Sequence, residues 1–395
     1  MNPSAAGWIN KFFHKFSEED LLDPFTEKGS FYNHLRKSGF AYGNSVAGLI
    51  DSPLSELKLS MAEYNKANLL HGLYVIYCKQ TKYTDVKSFL EHAISFYREI
   101  DRGRMSLFSR LSLGKSASKN LEKILGARIL ESDASLKKEQ TYAFSNVLLA
   151  TDLLTYQIYC ESPMLAKNYA TSLEKAIATY CFGALQSKTK QDKYDLLLLE
   201  MFEMAGLSTA AAPLEAFFSD TQMTLTSHYL MDLCCMAIKD DLRIEPSERQ
   251  YIMNLAGQLN LTQDDALHAL DALEAFMAAH ENAINFFNHT HPVQHFYKQT
   301  SGTVERLILR NKKRLVKELS ESGELLVLLG QSTVRDLDAK EKDKVKEQLL
   351  DMFKSIPSLT IFLLPGGSLL LPLFIKFIPK LLPSAFNENR IDEDE

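Results

Sequence analysis

Paired cysteines are missing from this chain. Cys78, Cys160, Cys181, Cys234 and Cys235 include no CxxC and no matched spacing. The expectation is reduced, buried thiols in a reducing compartment, not a disulfide framework. An excess of positive charge is missing too: the formal net charge is -6, which gives the molecule as a whole no electrostatic reason to bind DNA. The first residues, MNPSAAGWINKFFHKF, do not place a charged start ahead of an apolar core, so a secretory signal is not expected. Strict apolar/polar alternation is rare, so strands are not expected. No stretch sets a base beside a nucleophile. Gly114-Lys115-Ser116 lacks the first glycine and the preceding strand of a phosphate loop. The reading is therefore non-enzymatic, with no cofactor.

What is present is helical. With 46% hydrophobic and 24% charged residues over 395 positions, the chain has the balance of a globular protein with room for sizeable cores. Trp8, Ile9, Phe12, Phe13 and Phe16 fall at helical spacing. They read either as an amphipathic anchor or as a face packed on the body. Asp51-Ser52-Pro53 resembles a helix start with proline at the first position. Helical periodicity then runs from about Ser60 to Gln186. Leu69, Leu70, Leu73, Tyr74 and Tyr77 trace one face, and Phe89, Ile94, Phe96 and Ile100 another. Two long helices follow, Tyr142 to Tyr159 and Leu165 to Leu185.

Between 190 and 282 a second unit is legible. Leu225 to Lys239 is an apolar-faced helix, broken by Asp240-Asp241-Leu242-Arg243-Ile244-Glu245. Pro246 opens the next helix, with Glu248 at its positive end. Thr262 with Asp265 is similar to a capping box. This order resembles the TerB-like family of small helical domains. That resemblance implies a cation site at Asp240, Asp241, Glu245 and Glu248, yet Leu242 and Ile244 stand where an EF-hand loop needs oxygen ligands, and its glycine is missing. A solvated acidic turn is the alternative. His280, His289, His291 and His295 crowd the next stretch, but Pro292 breaks any helix there, and no cysteine or carboxylate set completes a zinc shell. It reads as a polar interdomain loop.

One basic cluster stands out: Arg306, Arg310, Lys312, Lys313, Arg314 and Lys317, on a helix whose other face carries Leu307, Ile308, Leu315 and Leu319. It suits anionic headgroups, a ribosome or RNA met without sequence choice, or simply water. Asp338 and Glu341 open a further helix with a capping box. That helix buries Val345, Leu349, Leu350 and Phe353 and ends before Pro357.

From Leu359 to Ile375 the chain carries no charge. A membrane-crossing helix needs about 20 mostly apolar residues, so this run is marginal for one pass. Interior prolines break it, and at membrane depth such breaks need other groups to satisfy the freed carbonyls. Three readings stand: a broken, hairpin-like membrane element, an interfacial segment, or a buried helix pair with Pro365-Gly366-Gly367 as its turn.

Pro357, Pro365, Leu370, Leu371, Pro372, Lys376, Pro379, Leu382, Pro383, Ser384 and Phe386 keep the register of a known segment. It reads proline, apolar run, Pro-Phe-Met-Glu, Leu-Leu-Pro, apolar, Lys, apolar, Phe-Pro, Met-Leu-Pro-Ser-Thr-Phe. The stretch thus resembles the membrane segment of the LETM family, the leucine-zipper and EF-hand-containing transmembrane proteins, and within it the bacterial biofilm-associated type. The resemblance implies cation/proton exchange and ribosome binding. However, Gly366, Gly367 and Ser368 replace Phe-Met-Glu, removing the intramembrane carboxylate that would carry a cation. The family's ribosome-binding domain follows its membrane segment, whereas this sequence ends in NENRIDEDE, nine residues after Phe386.

The expected fold is all-α: a multi-helix bundle with a TerB-like domain and a C-terminal proline-broken apolar hairpin. The expected divisions are a helical region (1–189), the TerB-like bundle (190–282), a linker with the basic helix (283–337), the LETM-like helix and membrane segment (338–386) and an acidic tail (387–395). The function these readings imply is a cytoplasmic adaptor or assembly protein held at the inner membrane by its C-terminal segment. Its partners would be anionic lipid and a protein or ribosome. The alternatives are a cation transporter or its accessory subunit, with Lys376 as its charge, and a soluble helical interaction module.

Overall fold

The structure, a computed structural model, describes residues 1–27, 29–56, 58–100, 116–128, 149–204, 223–239, 245–280, 297, 301–302, 304–305, 307–332, 335, 337–356, 359 and 371–381. Among them every regular element is a helix, so the fold is all-α.

The short helices α1 (Trp8–Lys15), α2 (Glu18–Leu22) and α3 (Ser30–Lys37) wrap a long central one, α4 (Met61–Thr81). In α1 the aromatic stripe turns inward: Trp8, Ile9 and Phe12 are buried, as is Phe16 just beyond the helix. Phe12 lies 5.7 Å from the His71 ring and Phe13 lies 5.0 Å from Tyr74. The packed-face reading of that stripe therefore holds. Asp51-Ser52-Pro53 does not start a helix. The start falls at Ser60, whose side chain caps the Glu63 N–H while the Glu63 carboxylate accepts from Ser60, a complete capping box. Pro53 is used otherwise, its carbonyl accepting from Lys15 Nζ at 2.7 Å.

Helix α4 is buried from Asn65 to Cys78, with Asn65, Lys66, Asn68 and His71 among the enclosed residues, so it is surrounded on every side. Its neighbours are α5 (Val86–Ile100), α6 (Ala117–Arg128) and α7 (Leu149–Glu161). At Gly72 the approach to α7 is so close that a Cβ would sit 2.8 Å from Leu153 Cδ1. The hub of the molecule is α8 (Pro163–Ser187), which packs against α5, α7, α9 (Lys193–Met204), α10 (Met223–Ile238) and α11 (Pro246–Gln258). Helix α12 (Gln263–His280) covers α10 and meets α3. Its start is the Thr262–Asp265 pair read from the sequence, each residue bonding the other's backbone N–H at 3.1 and 2.9 Å.

Two buried ion pairs tie distant helices. Arg36 on α3 forks onto Asp232 on α10, and Tyr32 donates its hydroxyl to the same carboxylate at 2.6 Å. Arg128 on α6 forks onto Asp152 on α7, again with a tyrosine hydroxyl, Tyr97, donating at 3.0 Å. In both cases a carboxylate out of water has its oxygens met by charge-assisted and neutral donors together, which a buried charge requires. Burial, reinforced by the adjoining carboxylate, pushes both tyrosine hydroxyls well above their ordinary range.

Candidate functional site: the C-terminal helices and their dock

Three helices of the C-terminal part form a small block. Helix α13 (Lys312–Glu321) repeats its apolar residues at helical spacing and buries Leu315 and Leu319. Ile308, about two turns before Leu315, is also buried. Arg310, Lys312, Lys313, Arg314 and Lys317 are all exposed. Arg306 lies outside the residues whose side chains are described. Lys317 and Glu321, one turn apart and both largely exposed, form a loose ion pair at 3.9 Å.

The next helix, α14 (Gly323–Gln331), has the sequence GELLVLLGQ and buries Leu325, Leu326, Leu328 and Leu329. Helix α15 (Ala339–Ser355) opens with the Asp338–Glu341 capping box. Arg335 grips the same Glu341 carboxylate through two N–H groups at 2.8 and 2.7 Å. That grip, with the Asp338 N–H, lowers the Glu341 pKa to about 2. Lys344 and Gln348 of α15 both reach Glu324 of α14, and Ser355 donates to Glu318 of α13 at 3.1 Å. The inner face of α15 buries Val345, Leu349, Met352 and Phe353, with Leu350 half-buried, and the helix stops at Ser355, ahead of Pro357.

Of the apolar run, the described parts are Leu359 and α16 (Leu371–Leu381). Leu359, Leu371, Leu373, Phe374 and Ile378 are buried, and so are Pro372 and Pro379. Pro379 lies within the helix rather than ending it. The Phe374 ring meets Phe353 edge-on at 4.7 Å. Helix α16 packs against α14 and against α9, which belongs to the body of the protein. Lys376 donates to Glu200 of α9 at 2.6 Å, with the lysine side chain 21% and the glutamate 51% exposed. Lys380, one turn on, is exposed. Pro357, Pro365, Gly366, Gly367, Leu370, Pro383 and Phe386 lie outside the described residues, and the proposed turn at 365–367 with them.

Helix α9 is itself firmly built. Asp192 accepts from the Tyr194 and Asp195 N–H groups at 2.6 and 2.8 Å, and Asp195 returns the bond to Asp192 N–H. Lys188 pairs with the Asp195 carboxylate at 2.6 Å, both side chains fully buried. The N-terminal turn that presents the dock is thus pinned from two sides. Glu200 escapes sequence reasoning: it is a single acid between Leu196–Leu199 and Met201-Phe202, and only the tertiary fold brings it to Lys376.

Among the described residues no helix is long and apolar enough to cross a membrane. Helix α16 rises about 16 Å, against a hydrocarbon core of about 30 Å. Of the acidic candidates, Asp240 and Asp241 lie outside the described residues. Glu248 is buried and accepts from the Glu245 N–H at 2.9 Å, closing the start of α11. His280 ends α12 with its ring 4.9 Å from Phe276, while His289, His291 and His295 are outside the described residues. No group of three or more metal-ligating side chains occurs among the described residues.

The family model described as LETM1-like, RBD matches residues 337–395. The match begins one residue before the Asp338 cap and takes in α15 and α16, so the C-terminal segment resembles the LETM family, as the register of its prolines implies. No curated protein and no solved structure matches the chain.

Proposed function

From a C-terminal segment of LETM type, we propose that this protein is a non-enzymatic, membrane-associated adaptor or assembly factor, working at the cytoplasmic face of the inner membrane. The observation that carries the reading is the presence, beside that segment, of an exposed basic face. Arg310, Lys312, Lys313, Arg314 and Lys317 are exposed on α13, which packs on α14, the helix beside α16. A basic face there suits the anionic surface of a cytoplasmic leaflet, each charge near that surface contributing about 1 kcal/mol. The helical body, including the unit over 223–280 with its TerB-like order, presents the protein partner. The description RBD attached to the matched family model supports a ribosome as that partner.

A second reading, a helical interaction module that never meets lipid, is favoured by the burial of Leu371, Leu373, Phe374 and Ile378 against the rest of the protein. The transporter alternative has less support, because Lys376 is already paired with Glu200. The test is binding of the full chain to anionic and to zwitterionic vesicles, beside a Lys312→Gln, Lys313→Gln, Arg314→Gln variant. Binding confined to anionic vesicles, falling about 100-fold in the variant and with added salt, is the expected result. Binding to neither vesicle at low salt sinks the membrane reading in favour of the interaction module.

A further inference from the structure

The apolar C-terminal helix is held shut by the body. We propose that α16 is a latch: closed, it lies on α9, α14 and α15; open, it lies in the interfacial layer of an anionic membrane, where lipid headgroups take the place of Glu200. This deepens the membrane reading above and rests on it.

Three observations converge. First, α16 reads LPLFIKFIPKL and is apolar on all sides but one. Its only charges, Lys376 and Lys380, stand four apart and share a single stripe. An apolar body with a lysine stripe is the make-up of a helix that lies in a headgroup layer, and its sign matches that of the exposed face of α13. Second, among the described residues the closed position neutralises this stripe at one point, Lys376 on Glu200. Glu200 is 51% exposed, so the pair opens to water and to competing anions. A phosphate or carboxylate of a headgroup offers Lys376 the same acceptor chemistry that Glu200 does. Third, α16 on α9 is the most extensive described helix-to-helix contact joining the C-terminal block to the body. Withdrawing α16 therefore frees the block and uncovers the leucine-lined face of α14 beneath it. In lipid the apolar side chains of α16 exchange one hydrocarbon surround for another, so the switch is governed by the ion pair and by the covered face.

The experiment uses the full chain, vesicles of phosphatidylcholine with about one-third phosphatidylserine, and amide exchange read over residues 371–381. In wild-type protein those amides should be protected in solution and lose protection to a new pattern on the vesicles. Glu200→Lys should bind the vesicles about two- to fivefold more tightly and lose protection in solution. Lys376→Glu should lose protection without gaining binding, since it places a carboxylate on the stripe. Glu200→Lys combined with Lys376→Glu should restore closure and wild-type protection. Wild-type protein that binds vesicles with α16 still protected, or Glu200→Lys that binds no more tightly, overturns the latch and leaves the membrane reading standing. Failure of every variant to bind, including one with exposed α16, overturns both.

Discussion

Arg36 and Asp232 lie 196 residues apart and meet as a closed fork, Nε to Oδ2 and Nη2 to Oδ1 both at 2.8 Å, inside the protein. Arg36 Nη1 also stands 3.1 Å from His268 Nδ1, which brings α12 into the same junction. The arginine is stacked over Tyr32, 4.8 Å from its centroid. One pair therefore fixes how the N-terminal helices sit on the helices of 223–280.

Breaking that pair from one side should be costly. Asp232→Asn strands a guanidinium with almost no access to water, and such a loss typically costs about 3–5 kcal/mol. Arg36→Met with Asp232→Leu should recover part of it, leaving the Tyr32 hydroxyl without its acceptor at about 1–3 kcal/mol. Urea denaturation of the two variants against wild type measures both numbers. Equal destabilisation by the single and the double change would show that the pair's geometry, not its charge balance, sets the junction.

The protein should lose stability in mild acid, and His71 is one reason. Its ring is enclosed in the core, with Nε2 2.9 Å from the Leu21 carbonyl and Nδ1 without a partner. Burial lowers its pKa to about 4, while an unfolded histidine titrates near 6.5. Above about 6.5 both states hold it neutral and there is no effect. Between about 6.5 and 4 the unfolded chain binds the proton and the folded one does not, so stability falls by about 1.4 kcal/mol per pH unit as the pH drops. Below about 4 the contribution levels off. Burial shifts His92 and His228 in the same direction. Denaturation midpoints at pH 7 and pH 5 should differ in wild type and differ less in His71→Leu, whatever that variant's stability at pH 7.

What the sequence made legible was whatever is written locally. The Thr262–Asp265 and Asp338–Glu341 caps were readable because both partners lie within four residues, as were the long helices with one clear face. Asp51-Ser52-Pro53 misled for a related reason: it has the composition of a helix start, but its backbone is occupied by residues far away, Lys15 on Pro53 and the N-terminal amine on Leu54. Helix α14 escaped because GELLVLLGQ is apolar nearly all round and has no period to detect. The Lys376–Glu200 pair left no trace in the sequence. It spans 176 positions, and although each residue is a charge set in an apolar run, nothing local assigns one to the other.

Helix contact in the core allows another test. Gly72→Ala sets a methyl group 2.8 Å from Leu153 Cδ1 where α4 and α7 cross. Overpacking of this kind costs about 1–3 kcal/mol, against a gain of up to about 1 kcal/mol in helix propensity from removing a mid-helix glycine. Net destabilisation is expected, and Gly72→Ala with Leu153→Val should relieve part of it. A more stable single variant, read by thermal melting, would show that α7 moves aside freely.

The contact of Phe374 with Phe353 tests whether α16 belongs to a core. Phe374 is fully buried with its ring 4.7 Å from Phe353, so Phe374→Ala should cost about 3–5 kcal/mol by the loss of burial and the cavity left behind. Because α15 and α16 bury their apolar faces on each other and on α14, the loss should appear as weakened amide protection over 339–355 and 371–381. Helix α4, enclosed by α5, α6 and α7, should keep its protection. Loss spread equally over 61–78 would mean that the block and the body unfold as one unit, and α16 could not then leave its dock without unfolding the protein.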